Sequence, residues 1–101
     1  MSSIEEVEKY FKEALEKATA GIIIETPDYI YALYELSSNR WRQVSYVFSD
    51  REGYVEEIDT RRALLLLIEE VSKSLVRYNK GEWRTILSEI ELEEVLEKAR
   101  K

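Results

Sequence analysis

Apolar residues recur at Ile4, Val7, Phe11, Leu15 and Ala18, the spacing of one helical face, and predict a first helix over residues 3 to 19. Ser2 or Ser3, followed three residues later by Glu5 or Glu6, is a capping box that starts it, and Gly21 is placed to end it. The opposite face carries Glu5, Glu8, Lys9, Lys12, Glu13 and Glu16, with Glu8 to Lys12 and Glu13 to Lys17 at the supportive i,i+4 spacing.

The period then changes. Gly21 to Glu25 is β-branched and short, and Pro27-Asp28 stops it, which predicts a brief strand or extended entry segment. Tyr29 to Ser37 and Arg40 to Ser49 are aromatic and β-branched, and Ser38-Asn39 between them has the composition of a tight hairpin turn. Residues 50 to 53 make the next turn, and residues 54 to 58 a third meander strand.

Asp59 or Thr60 caps a long second helix that runs to about Tyr78 and stops at Asn79-Lys80-Gly81. Its main apolar stripe is Leu64, Leu67, Ile68, Val71, Leu75 and Tyr78, widened by Leu65, Leu66 and Val76, so the spacing predicts a central core helix with both sides covered. Residues 82 to 90 read two ways: Thr85-Ile86-Leu87 favours a strand from about 82 to 88, whereas Ser88-x-x-Glu91 is the cap of a final helix. Leu92, Val95, Leu96 and Ala99 make that helix amphipathic. The elements describe one α+β domain over residues 1 to 101, in which an antiparallel meander of three to four strands packs on the first helix and the long second one. The expected core is Val7, Phe11, Leu15, Tyr34, Val44, Phe48, Leu64, Ile68, Val71 and Leu75.

Composition narrows the chemistry. The chain has neither cysteine nor histidine, so disulfides, thiolate nucleophiles, thiolate-ligated metals and the commonest neutral-pH base are excluded. The acidic groups Glu56-Glu57 with Asp59, Glu69-Glu70, and Glu91 with Glu93-Glu94 sit in no motif that would make them catalytic, and no enzyme, metal or cofactor is expected. The first residues carry no basic start and no apolar run, and residues 63 to 68, the longest apolar run, are far short of a membrane span. A cytoplasmic or nucleoid-associated protein is expected. Charged residues make up 36% of the chain, a profile common among thermophile proteins with surface ion-pair networks, and suggest an archaeal or archaeal-virus source. The net charge of −6 argues against broad nucleic-acid binding.

Alternation makes the hairpin the most informative stretch. Ile30, Ala32, Tyr34 and Leu36 share one face with Val44, Tyr46 and Phe48, while Tyr29, Tyr31, Leu33, Trp41 and Val47 make the other face apolar as well. A sheet face of that kind needs a cover, which is either the chain's own last helix or a protein partner, including a second copy. Tyr29, Tyr31, Leu33, Trp41 and Val47 are therefore the expected partner-binding residues, and Trp41→Ala is expected to abolish association at a stability cost within about 1 kcal/mol. Arg40, Arg42 and Arg51, with Arg61-Arg62 near by, form the basic-aromatic cluster that would hold an anion or single-stranded nucleic acid, although Asp50, Glu52, Glu56, Glu57 and Asp59 lie in the same stretch. A third use, as an acidic inhibitor of a nucleic-acid enzyme, would employ the Glu faces of the first and last helices.

The order helix, meander, long helix, strand, helix resembles in outline the small dimeric secretion-chaperone type of fold, whose members bind partner polypeptides through the sheet and its flanking helices. The resemblance rests on element order and implies a dimeric binding protein. The expected function is a non-catalytic protein-interaction module, a homodimer by the face argument above, with nucleic-acid association as the alternative.

Overall fold

A computed structural model describes residues 2–101, with the side chains of Leu75, Tyr78 and Asn79 outside the described set. The first capping box forms as the sequence predicts. Ser3 Oγ accepts the Glu6 amide at 3.3 Å, and Glu6 accepts the Ser3 amide at 3.4 Å. Helix α1 (Ile4–Lys17) ends at Ala18, so Gly21 is not its stop but the first residue of β1 (Gly21–Glu25). Strand β2 (Tyr29–Ser37) and β3 (Arg40–Val47) follow, with Asn39 in the left-handed region at φ 59° closing the turn between them. After β4 (Glu52–Ile58), the Asp59 carboxylate accepts the Arg62 amide at 2.9 Å and starts α2 (Thr60–Asn79). Gly81, at φ 71°, stops that helix, with the Glu82 amide donating back to the Arg77 carbonyl in a Schellman-type closure.

Both readings of residues 82 to 90 hold part of the truth. Strand β5 is only Arg84–Thr85, while Ser88 caps α3 (Glu89–Arg100) by accepting the Glu91 amide at 3.2 Å.

The fold is α+β, with a wholly antiparallel five-stranded sheet in the order β4-β3-β2-β1-β5. Strand β4 lies at one edge and β5 at the other, so α2, which joins them, has to cross an entire sheet face. α1 and α3 take the opposite face. There Val7, Phe11, Ile30, Ala32, Tyr34, Val44, Val95 and Leu96 are all at most 1% exposed and form the principal core, with Leu15 and Phe48 packed at its margin. Arg100 ties the two helices together, reaching Glu8 on α1 at 2.7 Å and Glu93 and Glu97 on α3 at 2.8 and 2.9 Å. Arg42 pins α1 to β3 through Glu13 at 2.5 Å and lies 4.8 Å over the Tyr10 ring. No helix among the described residues is long and apolar enough to cross a membrane.

The second face has a smaller core of Ile24, Tyr31, Leu33, Trp41, Ile58 and Ala63, with Ile22, Tyr29, Leu66, Leu67 and Trp83 packed against it. Here the structure corrects the expected core. Leu64, Ile68 and Val71 are 46%, 64% and 43% exposed, and α2 turns Ala63, Leu66, Leu67, Glu70 and Ser74 toward the sheet. Leu75, also expected inside, falls outside the described side chains. The reason is steric. The sheet face beneath α2 is bulky with Tyr29, Tyr31 and Trp41, and a helix approaches such a face most closely through its small residues. The stripe with Ala63 and Ser74 therefore packs inward, and the larger, more apolar stripe is left outward.

Candidate protein-docking face

The residues expected to bind a partner are placed together, but beneath α2. Tyr31, Leu33 and Trp41 are 9%, 0% and 4% exposed, and Tyr29 and Val47 are half-buried at the margin. The Trp41 indole N–H donates to Thr60 Oγ1 at 3.2 Å, which fixes the first turn of α2 against the sheet. The Tyr31 hydroxyl donates to Gln43 at 3.0 Å. The need for a cover was read correctly; the cover is the second helix, not the last. Tyr31, Leu33 and Trp41 are thus an internal seam with Tyr29 packed at its edge, while Val47 stays at the margin, and the surface that a partner would meet over the seam is one layer farther out.

That surface is the outer side of α2. Leu64, Leu65, Ile68, Val71 and Val76 are each between 43% and 64% exposed and follow one another at helical spacing. On the order of 400–500 Å² of apolar side chain lies open there, in the middle of the range of about 300–600 Å² for the largest patch on an ordinary monomer, a size that is often functional. Arg61 and Arg62 stand exposed at its head without an ion pair among the described residues, and Glu69 and Lys73, paired at 3.1 Å, border its middle. Leu64, Ile68 and Val71 of this stripe belong to the main apolar stripe read from the sequence, and Leu65 and Val76 to its widening, whereas Leu67 of the main stripe packs toward the sheet. What could not be read was which way it faces.

The arginine cluster does not assemble. Arg40 is held by Glu57 on the neighbouring strand at 2.8 Å, and Arg42 is turned under α1 against Glu13 and Tyr10. Arg51 sits in the turn after β3, at the far end of that strand from Arg40, with its backbone in the left-handed region at φ 56°. Arg40 and Arg42 therefore each neutralise a carboxylate of the fold, with Arg51 left apart from Arg40.

Beside α2, an open groove of about 450 Å³ runs over β3 and β4, lined by Tyr31, Gln43, Ser45, Tyr54 and Glu56. Its polar groups are engaged with one another: Gln43 donates to Glu56 at 2.7 Å, and Tyr54 to Glu52 at 2.8 Å. Among the described residues no group of three acidic side chains gathers as a metal site would require.

Burial raises the Tyr31 hydroxyl well above the ordinary tyrosine value, with Glu70 adding to the effect. Burial likewise raises Tyr34, whose hydroxyl donates to Glu13 at 2.7 Å. The neutral form of each is the one the fold favours. Their contribution to stability is therefore present below about pH 10, the ordinary tyrosine value, and is lost as pH rises through the higher folded value. In an alkaline absorbance titration of the seven tyrosines, Tyr31 and Tyr34 should ionise only with unfolding, and Tyr31→Phe should remove one equivalent from that late phase. Full titration of all seven on the native baseline would contradict the assignment.

No family model, curated protein or solved structure matches this chain.

Proposed function

We propose that this protein is a non-catalytic interaction module that docks another polypeptide on the outer face of α2. One observation carries the reading: α2 keeps Glu70 and Ser74 on its sheet side while Leu64, Leu65, Ile68, Val71 and Val76 face solvent. Holding these side chains in water forgoes about 1.5–3 kcal/mol for each one that full burial would stabilise, a cost an interface recovers. The aromatic sheet residues Tyr29, Tyr31 and Trp41 act in this reading as the platform that positions the helix, and the acidic α1 and α3 keep the complex soluble. The same proposal places the protein in the cytoplasm of a thermophile, archaeal or viral, where the ion-pair network around Arg100 is most useful.

The test is capture from extract of the source organism after nuclease treatment, with the wild type and with a Leu65→Lys, Ile68→Lys variant immobilised in parallel. The variant should lose bound protein, and its own unfolding free energy should stay within about 1 kcal/mol because both side chains are already exposed. Equal capture by the two proteins would refute the docking face. Binding that vanishes with nuclease would point instead to nucleic-acid association.

A further inference from the structure

We infer that the cavity between the β3–β4 turn and the end of α3 is a binding site for a small phosphate monoester, held by Arg51, Lys98 and Lys101 beside the Phe48 ring. The site lies on the α1/α3 side of the sheet and is independent of the docking face on α2.

Two stretches far apart in sequence build it. The turn after β3 supplies Phe48, Ser49 and Arg51, and the end of α3 supplies Lys98, Ala99 and Lys101; together they line an open cavity of about 310 Å³. Three of these side chains are cationic and none is acidic, in a chain whose net charge is −6. The volume stands at the lower end of small-molecule sites, about 300–1,000 Å³, which suits a phosphate group on a short carrier.

The floor of the cavity is anchored. Phe48 packs at the margin of the principal core and meets the Tyr46 ring edge to face at 6.2 Å. The Phe48 amide donates to the Asp28 carbonyl at 3.0 Å and the Arg51 amide to the Val47 carbonyl at 2.9 Å, so the turn is tied at both ends. Lys98 Nζ stands 4.8 Å from the centre of the Phe48 ring, which steers the ammonium group, and its one carboxylate neighbour, Glu25, is 3.7 Å away. Asp50 accepts the Ser49 hydroxyl at 3.3 Å and does not line the cavity.

Arg51 is the residue that the fold leaves unexplained. Its backbone is left-handed at φ 56°, a conformation that glycine adopts freely and arginine does not. Its side chain is exposed and has no ion pair among the described residues, whereas Arg40 and Arg42 each hold a carboxylate. Lys98 and Lys101 also offset the negative end of the α3 dipole. No such account covers Arg51, which belongs to another element and neutralises nothing in the fold. A phosphate monoester uses all three cations: it is a dianion near neutral pH with three acceptor oxygens, and a guanidinium group can bind two of them at once. A long polyanion is disfavoured by the net charge and by the confinement of these cations to one cavity.

The experiment is a chemical-shift titration at constant ionic strength, first with inorganic phosphate and then with ribose 5-phosphate. Both should move the amide signals of Ser49, Asp50 and Lys98 saturably, and acetate should not. Arg51→Gln and Lys98→Gln should each weaken binding about tenfold, the loss of one charge-assisted hydrogen bond. Lys17→Gln, which removes an exposed cation at the end of α1, should leave binding unchanged. Affinity should fall as pH drops through about 6, where the dianion takes up a proton. Arg51→Gly separates ligand from fold: binding should be lost with no fall in melting temperature, because glycine relieves the left-handed backbone.

Absence of saturable shifts with both phosphate compounds overturns the inference, as does undiminished binding by Arg51→Gln or an equal response to acetate. An Arg51→Gly variant that melts well below the wild type would make Arg51 a structural residue and remove the argument for a ligand. Shifts produced by a deoxythymidine oligonucleotide but by neither phosphate compound would replace the small ligand with nucleic-acid association.

Discussion

Replacing Trp41 with Ala should destabilise the protein by about 3–5 kcal/mol, the range for truncating a buried aromatic. The sequence pattern placed Trp41 at an open face and expected a cost within about 1 kcal/mol; its 4% exposure reverses that. In a domain of this size the melting temperature should fall by at least about 12 °C. The damage should be directional as well. Trp41 packs with Leu33, Ile58 and Ala63 and donates to Thr60 at the start of α2, so the helix should loosen from the sheet before α1 and α3 do. Both tryptophans belong to this side of the sheet, Trp83 packing against the same cluster, so intrinsic fluorescence reports on α2 docking while far-ultraviolet dichroism reports on the whole fold. Trp41→Phe keeps most of the packing and loses the indole hydrogen bond, and should cost about 1 kcal/mol beyond the change in ring size. A Trp41→Ala variant that unfolds like the wild type would mean that α2 does not rest on this seam.

Gly21→Ala should be comparably severe from a change of one methyl group. A Cβ at Gly21 would stand 2.5 Å from the Leu33 carbonyl oxygen, 2.7 Å from Tyr34 Cβ and 2.8 Å from Tyr34 Cα. Two of those three atoms are backbone of β2, the central strand of the sheet, so relief requires opening the β1–β2 pairing that sets Gly21 opposite Tyr34. A loss of about 3 kcal/mol or more is expected, at the upper end of overpacking effects. Gly81→Ala is the control: nothing lies within 4 Å of its added Cβ, and only the left-handed backbone at φ 71° opposes it, costing about 1 kcal/mol. Denaturant midpoints of the two variants measured side by side decide the matter, and equal midpoints would mean that β1 has room to shift.

How far the sequence could be read depended on the range of the information. The hairpin strands and both Ser-led caps are written locally, by alternation from Tyr29 onward and by a serine followed by glutamate three residues later, and those elements formed where expected. The facing of α2 is not local. Both of its stripes are apolar enough to bury, and the choice between them follows from β4 and β5 lying at opposite sheet edges and from the bulk of the aromatic face between. β5 itself is two residues long and exists through pairing with Ile24 and Glu25, some sixty positions earlier, which no window on residues 82 to 90 contains. Arg42 shows the same limit at the level of a site. Beside Trp41 and Arg40 it reads as part of a basic-aromatic cluster, and only the fold brings Glu13 and Tyr10 to it.

The pairing of α1 with α3 through Arg100 and Glu8 also governs the order in which the protein can be made. The sheet face under these helices carries the principal core, and its second cover is synthesised after every strand it covers. Until α3 emerges, a nascent chain holds β1 to β4 and α1 while the surface belonging to Leu92, Val95 and Leu96 stays open, along with the edge of β1 that awaits β5. Contacts between such distant segments are the slow ones to form, and an unpaired strand edge beside an open apolar face is the usual starting point of misassembly. Chains cut before β5 and α3 should therefore expose this face and the β1 edge and aggregate more readily than the full chain.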